Sequence, residues 1–182
     1  CNDPLYRLTW DYLVKRVETI CPLNGGVPSK APVVERLHGH VRTMLTVAMD
    51  ERFTPVHRIL SIELLYPTGL LDDQVETKHQ ILLDYSEGLI RELLGEGATA
   101  SDVAMCQMSF VAQWKAIRFS VVGQPLGKSW RFTKDDIEDL TSHVTDFCLA
   151  GIRDRRRRIA QRKAGKSTRP RVHSDEKRNQ KK

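Results

Sequence analysis

Apolar residues recur at three- and four-residue spacing along most of the chain, the mark of amphipathic helices rather than strands. Asp3-Pro4 reads as an N-cap followed by a first helical position. Residues 5–20 continue it, with Leu5, Leu8, Tyr12, Val17 and Ile20 apolar. Pro22, Gly25, Gly26, Pro28 and Pro32 make residues 22–32 a loop of turn formers. A second helix is predicted over 33–49, with the stripe Leu37, Val41, Met44, Leu45 and Ala48. Thr54-Pro55 predicts the cap of a third helix running to Tyr66, with Val56, Ile59, Leu60 and Leu64 on its apolar face. Pro67 and Gly69 stop it.

A fourth helix is predicted over 71–94, with Val75, Leu82, Tyr85, Leu89 and Leu93 on one side and Gly95 as its C-cap. Thr99 and Asp102 form a capping-box signal for a fifth, running to about residue 122. Its stripe of Val103, Cys106, Phe110, Trp114, Ile117 and Val121 is widened by Ala104, Met108, Val111 and Ala112. A helix apolar over most of its girth needs cover on two sides. The sixth is signalled by Thr133 and Asp136. Ile137, Leu140, Val144, Phe147 and Gly151 repeat at alternating steps of three and four, a coiled-coil-like seam. No strand-type alternation and no internal repeat occurs, so the expected fold is an all-α bundle of about six helices.

The 182 residues are 40% apolar, enough for one domain with a real core and too apolar for wholesale disorder. No apolar run reaches the roughly 20 residues that span a bilayer. No charged-then-apolar leader opens the chain, so a cytoplasmic protein without membrane contact is expected. The sequence starts at Cys1 without an initiator Met, which suggests a fragment or a trimmed product.

Net charge is +6, unevenly spread. Residues 153–182 hold fourteen of the 29 Lys/Arg and three of the 23 Asp/Glu, leaving +11 there and −5 on residues 1–152. The expected organisation is therefore a folded domain over 1–152 and a basic, disordered tail over 153–182, with the last helix fading near Gln161.

Four stretches carry a resemblance. Asn2-Asp3-Pro4-Leu5-Tyr6-Arg7 looks like the "K-x-x-L-Y" start of the connecting helix in TetR-family regulators, with the Lys absent. Ile62-Glu63-Leu64-Leu65-Tyr66-Pro67-Thr68 is similar to the "R-E-x-x-x-P-T" helix end of the YbiH-type subgroup. Residues 105–113, MCQMSFVAQ, resemble its "C-x-x-S-I-V-G-Q", with Ala112 in place of Gly. Residues 143–151, HVTDFCLAG, are similar to its "H-V-T-x-F-S-L-A-G". The chain thus resembles the C-terminal domain of a TetR-type repressor over roughly residues 2–152. The resemblance implies a homodimer whose last two helices pair with their copies in a four-helix interface. It also implies a small-molecule effector pocket among the earlier helices. In such regulators effector binding reorients N-terminal helix-turn-helix heads and releases DNA. No such head precedes Asn2 in this sequence, so DNA contact through a recognition helix is assigned to no residue here.

For the pocket, Glu63 is the first polar candidate, because it lies on the apolar side of its helix with Leu60 and Ile59. A lone buried carboxylate is expensive unless paired or hydrogen-bonded. It serves either an effector or an internal ion pair to Arg58 or Arg118. Gln107 and Gln113 are polar anchors for a ligand or hydrogen bonds between helices across the dimer. Trp10, Met44, Leu60, Leu64, Phe110 and Trp114 (and Tyr12) line a cavity or simply fill a core. The dimer face is expected at Met108, Val111, Ala112, Ile137, Leu140, Val144, Phe147 and Gly151.

Arg155, Arg156, Arg157, Arg158, Arg162 and Lys163 open the basic tail. They are either phosphate contacts for sequence-indifferent nucleic-acid binding or a solvated extension. No aromatic residue follows Phe147, which argues against base stacking. No metal or cofactor is expected. His38 and His40 point about 200° apart on a helix, and the remaining histidines are isolated. Cys1, Cys21, Cys106 and Cys148 have neither C-x-x-C nor zinc-finger spacing and read as reduced thiols, mostly buried. No paired nucleophile and base, phosphate loop or zinc motif occurs, so no enzyme activity is expected.

Overall fold

The computed structural model describes residues 3–119 and 134–167. Among them are six α-helices, one 3-10 turn and no strand. The helices are α1 (Asp3–Ile20), α2 (Val33–Met49), α3 (Thr54–Leu65), α4 (Asp72–Leu94), α5 (Ala100–Phe119) and α6 (Lys134–Ser167). The predicted start of α6 at Thr133 and the expected disorder over 168–182 lie outside the described residues.

Two apolar clusters organise the bundle. The larger joins α2, α4, α5 and α6 through Leu37, Leu45, Leu89, Ile90, Phe110 and Leu149. The smaller gathers Trp10 of α1, Phe53, Val56 of α3 and Leu71. α1 enters it with Tyr6, Trp10, Leu13, Val14 and Val17, a stripe of helical spacing. This corrects the expected α1 face: Leu5, Leu8 and Tyr12 are exposed on the opposite side.

Local chemistry sets the helix ends. Thr99 is the N-cap of α5, and its hydroxyl accepts from the Asp102 amide at 3.2 Å. The Asp102 carboxylate accepts in return from the Thr99 amide at 2.9 Å, which completes the predicted capping box. Gly95, at φ +74°, closes α4 as expected. The predicted Thr54 cap is not formed. A 3-10 turn, Glu51–Phe53, runs directly into α3, and Phe53 takes the N-cap position without a side-chain bond. Its ring is buried in the smaller cluster, so apolar anchoring replaces the capping hydroxyl.

The 22–32 loop is docked on α2. A Cβ at Gly39 would lie 2.6 Å from the Asn24 carbonyl oxygen, so only Gly admits the loop this close to the helix. His40 Nδ1 bonds the Leu23 carbonyl at 2.8 Å, and the Thr43 hydroxyl donates to the Pro22 carbonyl at 2.8 Å. One face of α2 thereby binds two loop carbonyls, of which that of Pro22 also accepts from the Gly25 amide at 2.8 Å.

α6 departs most from expectation. It continues as helix to Ser167, past the expected domain boundary at residue 152. Ile152 and Ile159 are buried in the larger cluster, so this stretch belongs to the folded body. Its inward face runs through Thr141, Val144, Thr145, Cys148, Ile152 and Ile159. Two of these positions are threonines, which masks the face in a hydrophobicity reading. Thr141 can be buried because its hydroxyl donates to the Ile137 carbonyl at 2.6 Å.

Candidate functional site

A cavity of about 320 Å³ lies where α1, α2, α3 and α4 enclose the gap between the two clusters. Each cluster closes its own apolar faces, and α2 reaches both; the space between them is not filled. Trp10, Val14 and Val17 wall it from α1, Met44 and Val47 from α2, Leu60 from α3 and Leu82 from α4. Of the expected pocket residues, Trp10, Met44 and Leu60 line it. Val14, Val17 and Leu82 were not anticipated. The Trp10–Val14–Val17 spacing was the available signal.

Its polar lining is sparse: Thr43, His57, His79 and Cys21, with Glu18 and Lys78. Thr43 donates to Pro22, as described above. His57 Nε2 is bonded to the Val47 carbonyl. At the solvent side, the Lys78 ammonium of α4 donates to the Glu18 carboxylate of α1 at 2.6 Å, and both side chains are about half-exposed. Cys21 also lines the space. Its thiol is a free one, pushed above the usual range chiefly by burial.

Glu63, the expected pocket carboxylate, is buried away from this cavity. It accepts the Tyr6 hydroxyl at 2.7 Å, the Thr68 amide at 3.1 Å and the Thr68 hydroxyl at 2.9 Å. Burial pushes its pKa up, but the bonds from Tyr6 and Thr68 outweigh this, and the net direction is down. These neutral donors replace the expected ion pair with Arg58; the Arg118 side chain lies outside the described residues. Glu63 ties α1 to the C-terminal end of α3. Tyr6 in turn is pushed up to about 12, by desolvation first and then by the carboxylate it binds.

Gln107 donates to the Leu83 carbonyl at 2.7 Å and to the Ser86 hydroxyl at 3.1 Å, clamping α5 to α4 within one chain. Phe110 packs against the His40 ring with centroids 5.7 Å apart, inside the larger core. Gln113 is half-buried. None of these three lines the cavity. The Leu64 and Trp114 side chains lie outside the described residues.

The expected dimer face divides. Val144 is buried in the core, and Val111, Ile137 and Leu140 are half-buried against it. By contrast Met108 is 70% exposed and Phe147 61%, and Ala112 and Gly151 lie at the surface with them. At about 100° per residue, Phe147 stands on the flank of α6 next to the inward-facing Cys148. A groove of about 240 Å³ between α5 and α6 is lined by Phe147 and Gly151 together with Met105, Ser109, Asp154, Arg155 and Arg158; Met108 and Ala112 do not line it.

The basic stretch is held in place. Arg155 and Arg162, two turns apart on one face of α6, reach the Asp102 carboxylate with nitrogen–oxygen distances of 2.6 Å. Asp102 is held well below the usual carboxylate range, first by the Thr99 amide and then by Arg162. Arg157 and Arg158 pair with Asp154 on the surface. The Arg156 guanidinium lies over Gly95, where the C-terminal carbonyls of α4 favour a cation. The Lys163 stem crosses Gly97. The expected free cationic tail is therefore not found over residues 153–163.

No helix among the described residues is long and apolar enough to cross a membrane, and no cluster of metal-ligating side chains is found among them.

The six-helix, all-α arrangement of the described residues is that of a TetR-like C-terminal helical bundle. The family comparison agrees. Residues 33–152 match the model of the C-terminal domain of the HTH-type transcriptional dual regulator CecR, and the chain belongs to that family. Comparison with curated proteins and with solved structures gives no significant match.

Proposed function

We propose that this chain is the effector-sensing and dimerising part of a TetR-type transcriptional regulator. The observation that carries the reading is the apolar cavity between the two clusters. Its volume of about 320 Å³ falls within the roughly 300–1,000 Å³ of small-molecule sites. Its walls come from four helices, so an occupant would act on all of them at once. α1 is joined to the rest through contacts a ligand could alter: the Glu63–Tyr6 bond and the Glu18–Lys78 pair.

Pairing with a second copy is the other half of the reading. Met108 and Ala112 of α5 and Phe147 and Gly151 of α6 are apolar positions that water meets in the isolated chain. Covering side chains such as Met and Phe stabilises by about 1.5–3 kcal/mol each, and a self-complementary twofold contact is the usual solution.

The test of the pocket is a thermal-shift screen with drug-sized compounds. A binder at about 100 times its Kd adds about 2.7 kcal/mol of stability, which raises Tm by several degrees. Ala48→Phe, which fills the cavity from α2, should abolish the shift while leaving helical circular dichroism unchanged. Compounds that shift both proteins equally would count against the pocket. Light scattering at micromolar concentration tests the pairing. A dimer that becomes monomeric on Met108→Asp supports it, and a monomeric unmodified chain overturns it.

A further inference from the structure

We infer that the cavity takes an uncharged, lipophilic molecule of about two fused rings and discriminates against charged analogues of the same shape. The inference rests on reading the cavity as a ligand site. It adds the chemical class, which follows from how the charges around the cavity are disposed.

Size comes first. A dry cavity of about 150 Å³ holds benzene, so about 320 Å³ accommodates roughly twice that. The interior walls are Trp10, Val14, Met44, Val47, Leu60 and Leu82. Two polar groups of the lining are engaged by backbone carbonyls. The Thr43 hydroxyl serves the Pro22 carbonyl, and His57 Nε2 bonds the Val47 carbonyl.

Charge comes second. The lining holds one carboxylate and one ammonium, Glu18 and Lys78, which neutralise each other at 2.6 Å, beside the imidazoles of His57 and His79. The charges that act on Cys21 from nearby are also matched. Arg52 pairs with Asp50 at 2.6 Å, and Arg42 pairs with Glu138 at 2.6 Å. A carboxylate or ammonium entering the cavity would lose its hydration and meet no uncompensated opposite charge. A neutral body of the same shape loses only apolar contact with water, which favours binding. The Glu18–Lys78 pair therefore acts as an electrically balanced rim.

The balance of the rim makes the inference testable. Isothermal titration calorimetry on the full chain at neutral pH would compare three matched probes: 2-naphthaleneethanol, 2-naphthylacetate and 2-(2-naphthyl)ethylammonium. The alcohol is expected to bind about tenfold or more tighter than either ion. Lys78→Gln leaves Glu18 unpaired and should narrow the gap for the ammonium alone; Glu18→Gln should narrow it for the carboxylate alone. Both sites are half-exposed, so neither change threatens folding. Affinities for the three probes within about threefold of one another, or tighter binding of an ion, would overturn the class while leaving the pocket standing. Binding of none of the three would remove the pocket reading and the inference with it. An alcohol preference that neither rim variant shifts would overturn the role given to the ion pair.

Discussion

Arg155 holds one oxygen of Asp102 through two nitrogens, Nε at 2.7 Å and a terminal nitrogen at 2.6 Å, although 53 residues separate them. Arg162 holds the other oxygen at 2.6 Å. Asp102 is also the return half of the α5 capping box, and its side chain is fully shielded from water. One carboxylate thus fixes both the start of α5 and the last turns of α6. Removing it strands two guanidinium groups and a helix amide together.

Asp102→Ala is therefore expected to lower Tm by on the order of 5–10 °C, and Asp102→Asn by less, since the amide still caps. The two should also differ from the parent in acid. A carboxylate whose folded pKa is depressed contributes stability above the unfolded value of 3.8 and loses it as pH falls through the lower folded value. Tm measured from pH 5 down to pH 2 should show this loss in the parent and a flatter course in Asp102→Asn. Parallel curves would show that the pair does not set the acid limb.

His40 governs a separate pH window. Its ring is fully buried between Tyr85 and Phe110, and Nε2 has no partner. Desolvation lowers its pKa from 6.5 to about 4, against a smaller opposing effect of the Leu23 carbonyl. The unfolded chain binds this proton more readily than the folded one. Stability is therefore complete above pH 6.5 and declines between 6.5 and about 4. The decline should amount to about 3 kcal/mol. Urea midpoints at pH 7 and pH 5 for the parent and for His40→Leu would test it. The variant should be less stable at pH 7 but show little change between the two. An imidazole that titrates near 6.5 by NMR in the folded protein would contradict the burial.

Two glycines in helices should respond oppositely to alanine. At Gly39 a new Cβ would meet the Asn24 carbonyl oxygen at 2.6 Å and Val27 Cγ2 at 2.7 Å. At Gly88 nothing lies within 4 Å. Gly88→Ala should stabilise by about 0.5–1 kcal/mol through helix propensity. Gly39→Ala should destabilise by about 1–3 kcal/mol, because the loop must lift from α2. Denaturant unfolding of both variants reads the sign directly. A stabilised Gly39→Ala would mean that the 22–32 loop is not seated as described.

Helix positions, the loop at 22–32, the Gly95 stop and the Thr99–Asp102 box were all legible in the chain. Each depends on residues a few positions apart, and local backbone chemistry acts over that range. Trp10, Met44 and Leu60 line the cavity, Met44 and Leu60 from the stripes that periodicity marked on α2 and α3 and Trp10 from an α1 face that it did not mark. Glu63 was marked correctly as buried, but its donors, Tyr6 and Thr68, were not foreseen. A carboxylate on an apolar face announces only that something must satisfy it.

Tertiary structure alone decided the rest. Periodicity groups residues onto faces but does not say which face meets a neighbour. Thr141 and Thr145 are buried although an apolar stripe gives them no place on the inward face, and Phe147 stands exposed in the single chain. Likewise, arginines at 155 and 162 read as a free tail until a carboxylate from another helix arrived to hold them. The cavity is a property of two clusters failing to merge, and a void has no residue of its own in the chain. Backbone propensity and pattern are written locally. Burial, charge compensation and empty space depend on partners that only folding brings together.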